Sequence, residues 1–294
     1  MVVCVELRKI YGRALDPIHV GSGGYRLGRA DNTIVRDPAT DLPKIPGTSL
    51  AGVARAFYFL HQLECNCSDK TDEKEKKECV EEGVSNVFGD ESKKGTIRFY
   101  DGHVIFFPLS SVQGTVWITT KDLLEYWFIN KKDSNVRELK IPEVTDKAIA
   151  LKGLNSVEFL NLGWLLLEIG GLSQQLVLGG EVDDWVRRVV MIPEKLFSQI
   201  VNDNLEVRTS VRIDPMTGAA VDRGLFTYEA IPRGTVIGFE VACEKIRKQV
   251  PDIEKVMNAV KPYFKLLGIG GMGTRGFGRL ELFIENGGGG AAQP

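Results

Sequence analysis

With 294 residues, 43% of them apolar and 26% charged, the chain is long enough for about two average domains or one large domain with insertions, and its composition excludes wholesale disorder and a fibrous structure. Lys and Arg number 37 against 39 Asp and Glu, a net charge of −2, so whole-chain charge does not attract nucleic acid and any such binding must come from local patches. The longest apolar stretch, 159–178, is broken by Asn161, Glu168 and a Ser-Gln-Gln run, where a membrane span needs roughly 20 apolar residues. The first residues read as a strand and not as a secretory signal, so the expected compartment is the cytoplasm, with no membrane contact.

In chain order, residues 1–10 alternate around Val3, Val5 and Leu7 as a half-buried strand does, and lead into a loop carrying Pro17, His19 and Gly21-Ser-Gly-Gly24. Residues 42–47 form an extended connector. Thr48 or Ser49 then caps a helix whose apolar stripe is Leu50, Val53, Ala54, Phe57 and Leu60, with Arg55 off the stripe. Residues 64–82 are dense in Lys and Glu and are expected to be a surface insertion that supplies no core. Residues 95–101, 104–108 and 114–120 are expected as three consecutive strands of an antiparallel meander. Residues 121–200 mix short helical stretches, 121–129 and 193–201, with polar connectors and show no internal repeat. A long hairpin pattern over 208–229 turns at Pro215-Met-Thr-Gly218. A strand at 234–243, a helix at 252–267 with Ile253, Val256, Val260 and Phe264 on one face, and a glycine loop entering a last strand at 268–284 complete the ordered chain. The 287–294 tail is expected to be unstructured. An early β-α unit and a closing β-α-β unit point to an α+β, ferredoxin-like core with long insertions.

Three segments taken together carry a resemblance: His19-Val-Gly-Ser-Gly-Gly24 with Asp31 following, Ile45-Pro-Gly-Thr-Ser-Leu-Ala-Gly-Val-Ala-Arg55, and Gly268-Ile-Gly-Gly-Met-Gly-Thr-Arg-Gly-Phe-Gly-Arg279. They resemble the RAMP superfamily of CRISPR effector proteins. Val87-Phe-Gly-Asp90, Arg212-Ile-Asp-Pro-Met-Thr-Gly218 and Leu225-Phe-Thr-Tyr-Glu229 narrow the resemblance to the repeated backbone subunits of type III-B Cmr complexes, with the type III-A Csm backbone subunits as nearest relatives. The resemblance implies one RAMP domain over 1–284. Its RRM-like core would occupy 1–60, 86–120 and 233–284, with insertions at 61–85 and 121–205, a hairpin thumb at 206–232 and a disordered tail at 285–294. It further implies a subunit that polymerises with copies of itself and other Cmr subunits along a guide crRNA. The thumb would interrupt the guide–target duplex, and single-stranded target RNA would be cleaved at regular intervals.

Residue chemistry adds candidates. Glycines let backbone N–H groups approach a phosphate, so Gly21, Ser22 and Gly23, and the 268–279 loop with Arg275 and Arg279, are candidate RNA contacts; the alternative is tight packing of that loop on the early helix. No G-x-x-x-x-G-K-[ST] pattern occurs, which excludes a P-loop nucleotide triphosphatase. Ser49 and Arg55 could hold an RNA backbone without reading bases, or be only a cap and a solvated side chain. Asp31, behind Arg26 and Arg29, is either a turn former or, as the resemblance favours, the catalytic carboxylate. It would act as a base or as ligand of a divalent Mg or Mn ion, with the arginines on the phosphate. His19 is a lesser candidate for general acid; His103, Asp37 and Asp41 have nothing to favour them. Arg208, Arg212 and Arg223 interleave with Met216, Leu225 and Phe226, so the hairpin could hold RNA with Met216 as wedge, or pack on a neighbouring copy. His61, Cys65, Cys67 and Cys79 could bind a structural zinc, although C-x-C is tighter than the usual spacing; a disulfide ending at Cys79 and free thiols remain open. The functions in competition are a metal-dependent backbone endoribonuclease, a non-catalytic RNA-binding scaffold of the same fold, and a stand-alone guide-processing ribonuclease using His19.

Overall fold

The computed structural model describes residues 5–23, 30–70, 72–139, 147–155, 158–162, 165–172, 175–244 and 252–285. Its elements are β1 (Val5–Ala14), β2 (Lys44–Ile45), α1 (Gly47–His61), α2 (Glu73–Phe88), β3 (Ile97–Phe99), β4 (Gly102–Ser111), β5 (Gly114–Thr119), α3 (Lys121–Phe128), β6 (Ala148–Lys152), β7 (Phe159–Leu162), β8 (Leu165–Leu172), α4 (Gly180–Trp185), β9 (Val189–Met191), α5 (Glu194–Asp203), β10 (Glu206–Ile213), β11 (Ala220–Ala230), β12 (Val236–Glu244), α6 (Ile253–Leu266) and β13 (Leu280–Ile284).

The centre of the molecule is a sheet in the order β13-β1-β12-β4, every neighbouring pair antiparallel. With α1 after the first strand and α6 before the last, this is the double β-α-β arrangement of a ferredoxin-like fold. The apolar spacing expected for the two helices sets the packing: Leu50, Ala54 and Phe57 of α1 are buried with Ile253, Val256, Met257, Val260 and Phe264 of α6. The ring centroids of Phe57 and Phe264 lie 5.2 Å apart, edge to face. The opposite sheet face packs Tyr11 and Phe106 on Trp127 and Phe128 of α3. Helix α1 begins at Gly47, earlier than the Thr48 or Ser49 cap expected, with Pro46 ahead of it and no local side-chain cap. The Asp101 carboxylate supplies the missing acceptor, taking the Gly47 N–H at 2.7 Å.

The expected meander is corrected. β3 does not pair with β4; both lie against β12, β3 on Val241 to Cys243 and β4 on Val236 to Gly238, so only β4 and β5 form a hairpin. The 64–82 segment is also not devoid of core. Cys67 and Val80 within it are buried, and Val80 starts a stripe on α2 that Val84 and Val87 continue at helical spacing beyond the segment. Residues 121–205 contribute β6 to β9 as well as α3 to α5, and the strands prolong the sheet through β5-β9-β6-β8-β7. β10 and β11 form a separate two-stranded hairpin.

Gly238 in the middle of β12 is where the two layers meet most closely: a Cβ there would lie 2.5 Å from Ile105 Cδ1 and 2.8 Å from the Trp127 ring. Gly238→Ala is expected to overpack this contact and lower stability by about 1–3 kcal/mol, read as a lower denaturation midpoint at unchanged slope in urea.

Candidate RNA interface

Three parts of the chain distant in sequence meet: residues 15–23 and 30–36 after β1, the base of the β10–β11 hairpin, and the 268–279 loop after α6. Ile18 exchanges both backbone hydrogen bonds with Ile231 at 2.9 Å. Gly271 N–H donates to the His19 carbonyl at 2.8 Å, and Gly278 N–H to the Pro17 carbonyl at 2.9 Å. At Gly270 a Cβ would collide with the His19 carbonyl, and at Gly268 and Gly278 with neighbouring backbone; all three also have positive φ. The glycine loop is therefore packed tightly, against 17–20 and not against the early helix. Gly276 of the same loop faces open space, and at Gly273 a Cβ would meet only the Leu267 carbonyl, at 3.9 Å.

Asp31 lies on the hairpin base. Thr227 donates to Asp31 Oδ2 from its backbone N–H at 2.8 Å and from its hydroxyl at 2.9 Å, and the same hydroxyl accepts the Asp31 N–H at 2.8 Å. These donors hold the exposed carboxyl below the usual carboxylate range, so it is ionised at neutral pH. Oδ1 makes no hydrogen bond among the described residues, and the carboxylate is presented through that atom. Asn32 continues the contact, its N–H donating to the Thr227 carbonyl at 3.0 Å and its carbonyl accepting the Glu229 N–H at 2.9 Å. Gly21 and Ser22 pair with 33–34: Ser22 N–H donates to the Thr33 carbonyl at 3.0 Å, while Gly23 has positive φ and open space where a Cβ would stand.

His19 is buried, with Nδ1 2.7 Å from the Glu229 carbonyl and its ring edge-on to Tyr228. A carbonyl only accepts, so Nδ1 carries the hydrogen in this bond. Glu229 is bound by Arg36 Nη2 at 2.6 Å and by the Ile34 N–H at 3.2 Å. Arg275 donates to the Tyr228 hydroxyl at 3.2 Å and stacks over Phe226, 5.5 Å from guanidinium carbon to ring centroid. With Ser210, Val211, Arg212 and Phe226 it lines a cleft of about 530 Å³ whose side chains carry positive charge only. Phe226 is the chain neighbour of Thr227 on β11, so the cleft and the Asp31 contact share a strand, although successive side chains of a strand face opposite sides. Met216 stands at the tip of the hairpin, 91% exposed. Below it, Asp214 Oδ1 accepts the Met216 N–H at 2.7 Å and tightens the turn.

The remaining sequence candidates are placed elsewhere or are already engaged. Arg279 forms a two-pronged ion pair with Asp16 at 2.5 and 3.2 Å. Ser49 sits inside the first turn of α1, whose N-terminus is taken by Asp101. Burial opposes the charge on Asp101, but the Lys44 ammonium and the Gly47 N–H outweigh it and hold the carboxyl below its ordinary range. Arg55 lines a different cleft, between α1 and α2, opposite Glu81, Glu82 and Asp90. Asp37 is a turn former, taking the Ala39 and Thr40 N–H groups. Arg26 and Arg29 lie outside the described residues. A larger cleft of about 790 Å³ is lined by Asp37, Asp101, Asp122, Glu194 and Glu240, the wrong charge for an RNA backbone.

The four sulfur and imidazole candidates do not form a zinc set. Cys67 and Cys79 are joined in a disulfide, Cys65 is an exposed free thiol, and no cluster of three or more metal-ligating side chains occurs among the described residues. Sulfurs bonded to each other are not the thiolates that zinc requires. Of the three alternatives the spacing left open, the structure contains the disulfide, which ties the turn after α1 to α2.

Sequence reasoning missed Thr227, Tyr228, Glu229 and Arg36. The first three lie in the Leu225–Glu229 segment that carried part of the resemblance but was given no residue roles, and the register of β11 against 31–34 supplies them.

The sequence matches the RAMP superfamily over residues 13–281. The chain belongs to that superfamily. Among relatives it is 29% identical over 293 residues to the CRISPR system Cmr endoribonuclease Cmr4 of Pyrococcus furiosus, spanning 92% of this chain and 93% of that protein. The RAMP fold is shared with a chain of the type III-B Cmr-beta complex bound to cognate target RNA, at 17% identity and a TM-score of 0.66 over 95% of this chain and 96% of that one. It is shared also with oligomeric Cmr4 from Pyrococcus furiosus, at 20% identity and a TM-score of 0.61 over 96% and 99%. No helix among the described residues is long and apolar enough to cross a membrane.

The disulfide closes a sequence separation of 12 residues. Cys79→Ser, or reduction by dithiothreitol, is expected to lower stability by about 3 kcal/mol, measured as a fall in Tm, while EDTA leaves the Tm unchanged. A Tm that falls with EDTA and not with dithiothreitol would restore the zinc alternative.

Proposed function

We propose that this chain is the repeated backbone subunit of a type III-B Cmr complex, carrying a guide crRNA along a filament of its own copies and cleaving complementary target RNA at regular intervals in the cytoplasm. The observation that carries this reading is the seating of Asp31 on the base of the hairpin, on the strand that also supplies Phe226 to the arginine-lined cleft. A carboxylate held ionised, with one oxygen fixed and one presented, shares the hairpin with a cleft suited to phosphate. The name of the Pyrococcus relative, an endoribonuclease of the same kind of system, supports the same reading.

The residues fit a sparse divalent-ion site. A Mg or Mn ion would be held through Asp31, with RNA phosphate oxygens and water completing its shell, the mode in which Mg ions are held by one or two carboxylates and substrate phosphates. When bound, the ion supplies positive charge at the phosphate under attack. Asp31 itself, with its carboxyl pulled below the ordinary range by Thr227, is a weak proton acceptor at neutral pH and is better suited to orient or to ligate than to act as general base. Arg212 and Arg275 hold the phosphate backbone without reading bases, since guide pairing supplies the specificity. Met216, apolar and exposed at the tip, is the group that wedges between paired segments. The other Cmr subunits and neighbouring copies complete the assembly.

The scaffold alternative draws on the same geometry, since a carboxylate that bonds a hairpin base can be purely a brace. Cleavage of a guide-complementary RNA by the reconstituted complex separates the two. Asp31→Asn, which keeps an acceptor for Thr227 but removes the charge, is expected to reduce cleavage about a hundredfold or more, as is EDTA, with target binding by gel shift intact in both. Evenly spaced products at the wild-type rate from Asp31→Asn would assign cleavage to another subunit.

A further inference from the structure

We propose that Thr227 is the positioning residue for Asp31, fixing which carboxylate oxygen faces the RNA. The inference rests on Asp31 being the group that acts in cleavage. An exposed aspartate on a loop ordinarily samples several rotamers, but here Thr227 removes that freedom from both ends. Its hydroxyl accepts the Asp31 N–H at 2.8 Å and donates to Asp31 Oδ2 at 2.9 Å, so a single side-chain oxygen ties backbone and carboxylate together. Its backbone N–H, at 2.8 Å from the same Oδ2, fixes the plane of the carboxylate. Threonine suits this role because its β-branch restricts χ1 and keeps the hydroxyl aimed.

Thr227 does not stand on a free loop. It pairs with Thr209 across the hairpin, and its carbonyl is taken by the Asn32 N–H at 3.0 Å and the Asn32 side-chain amide at 3.3 Å. The direction of the Asp31 carboxylate is thereby referred to the hairpin base and not to the loop on which Asp31 lies. A group acting on a phosphate displaced by the hairpin needs this reference, because misplacement by about 1 Å costs on the order of a hundredfold in rate.

The test compares Thr227→Val, Thr227→Ser and Asp31→Asn in the guide-loaded complex, with the single-turnover cleavage rate at saturating target and the target affinity measured separately. Valine keeps the shape, the β-branch and the backbone N–H but lacks the hydroxyl; serine restores the hydroxyl. Thr227→Val is expected to slow cleavage by about 10–100-fold at unchanged target affinity, and Thr227→Ser to stay within about threefold of wild type, the range seen when outer partners of a functional carboxylate are removed or conserved. Wild-type cleavage by Thr227→Val beside an inactive Asp31→Asn would overturn the positioning role and leave the function of Asp31 standing. Equal losses in the valine and serine variants, or losses of rate and affinity together, would overturn it in favour of hairpin seating alone. An active Asp31→Asn would instead overturn the cleavage reading on which the inference rests.

Discussion

The 268–279 loop is closed on itself where Gly268 meets Gly278 and Gly278 meets Ile269, and is folded onto residues 17–19 where Gly270 meets the His19 carbonyl and Gly271 and Gly278 donate to the His19 and Pro17 carbonyls; the polar groups at the candidate site are arranged around that contact. The His19 carbonyl is bound by Gly271 N–H, while its imidazole bonds the Glu229 carbonyl and packs edge-on to Tyr228. Because Ile18 is paired with Ile231, the hairpin base is brought beside the same loop, and Arg275 reaches the Tyr228 hydroxyl and the face of Phe226. Met272, with φ 66°, is held in the left-handed region between two glycines of this loop; an ordinary side chain there costs roughly 1–3 kcal/mol and persists only where the surroundings enforce it. A substitution in one of the three close-contact glycines therefore acts on Asp31 and Arg275 without touching either.

Charge at the site is largely internal. Arg279 is paired with Asp16, Arg36 with Glu229 and Arg208 with Glu206, each within 2.6 Å. Such guanidinium groups order the protein and offer little to a phosphate unless their carboxylates are displaced. Arg212 makes no ion pair among the described residues, and Arg275 is bonded to a neutral tyrosine. In a chain of net charge −2, a surface for phosphate is made locally, by leaving Arg212 and Arg275, without anionic partners among the described residues, in one cleft while Arg36, Arg208 and Arg279 around it are paired. Binding built on so few phosphate contacts by each copy depends on repetition along a filament for its strength and has a correspondingly shallow salt dependence per copy.

What the sequence made legible was whatever rests on local spacing. The stripes of α1 and α6, the hairpin turn at 214–218 and the double β-α-β order all follow from periodicity and turn residues, and the glycine loop was recognisable as a place of close approach. The direction of that approach was not, because which backbone a glycine faces is set by tertiary pairing. The same limit explains Ser49: a helix that lacks its own cap looks as though it begins at the next hydroxyl, when Asp101 from another element is the acceptor. It explains Thr227, whose importance lies in a register between residues 196 positions apart. The zinc pattern illustrates a different limit. Spacing brings Cys65, Cys67 and Cys79 into one segment, but only the path of α2 decides that two of the sulfurs meet each other.

The hairpin itself changes character from base to tip. A two-stranded ribbon without a covering layer is marginal in water, and at its base the covering is supplied by Asp31 and Asn32 on one strand and by stacking of Arg208 on Phe277 and Arg275 on Phe226. Beyond Leu225, which is 66% exposed, the strands carry Val211, Ile213 and Met216 with open solvent around them, the register shifts between Val211 and Ile213, and the Asp214 turn is the main local restraint. A gradient of this kind separates two requirements that a single rigid element would set against each other. The tip can yield, while the carboxylate at the base keeps its direction, because the bonds that hold Asp31 lie on the side of the register shift that is tied to the core.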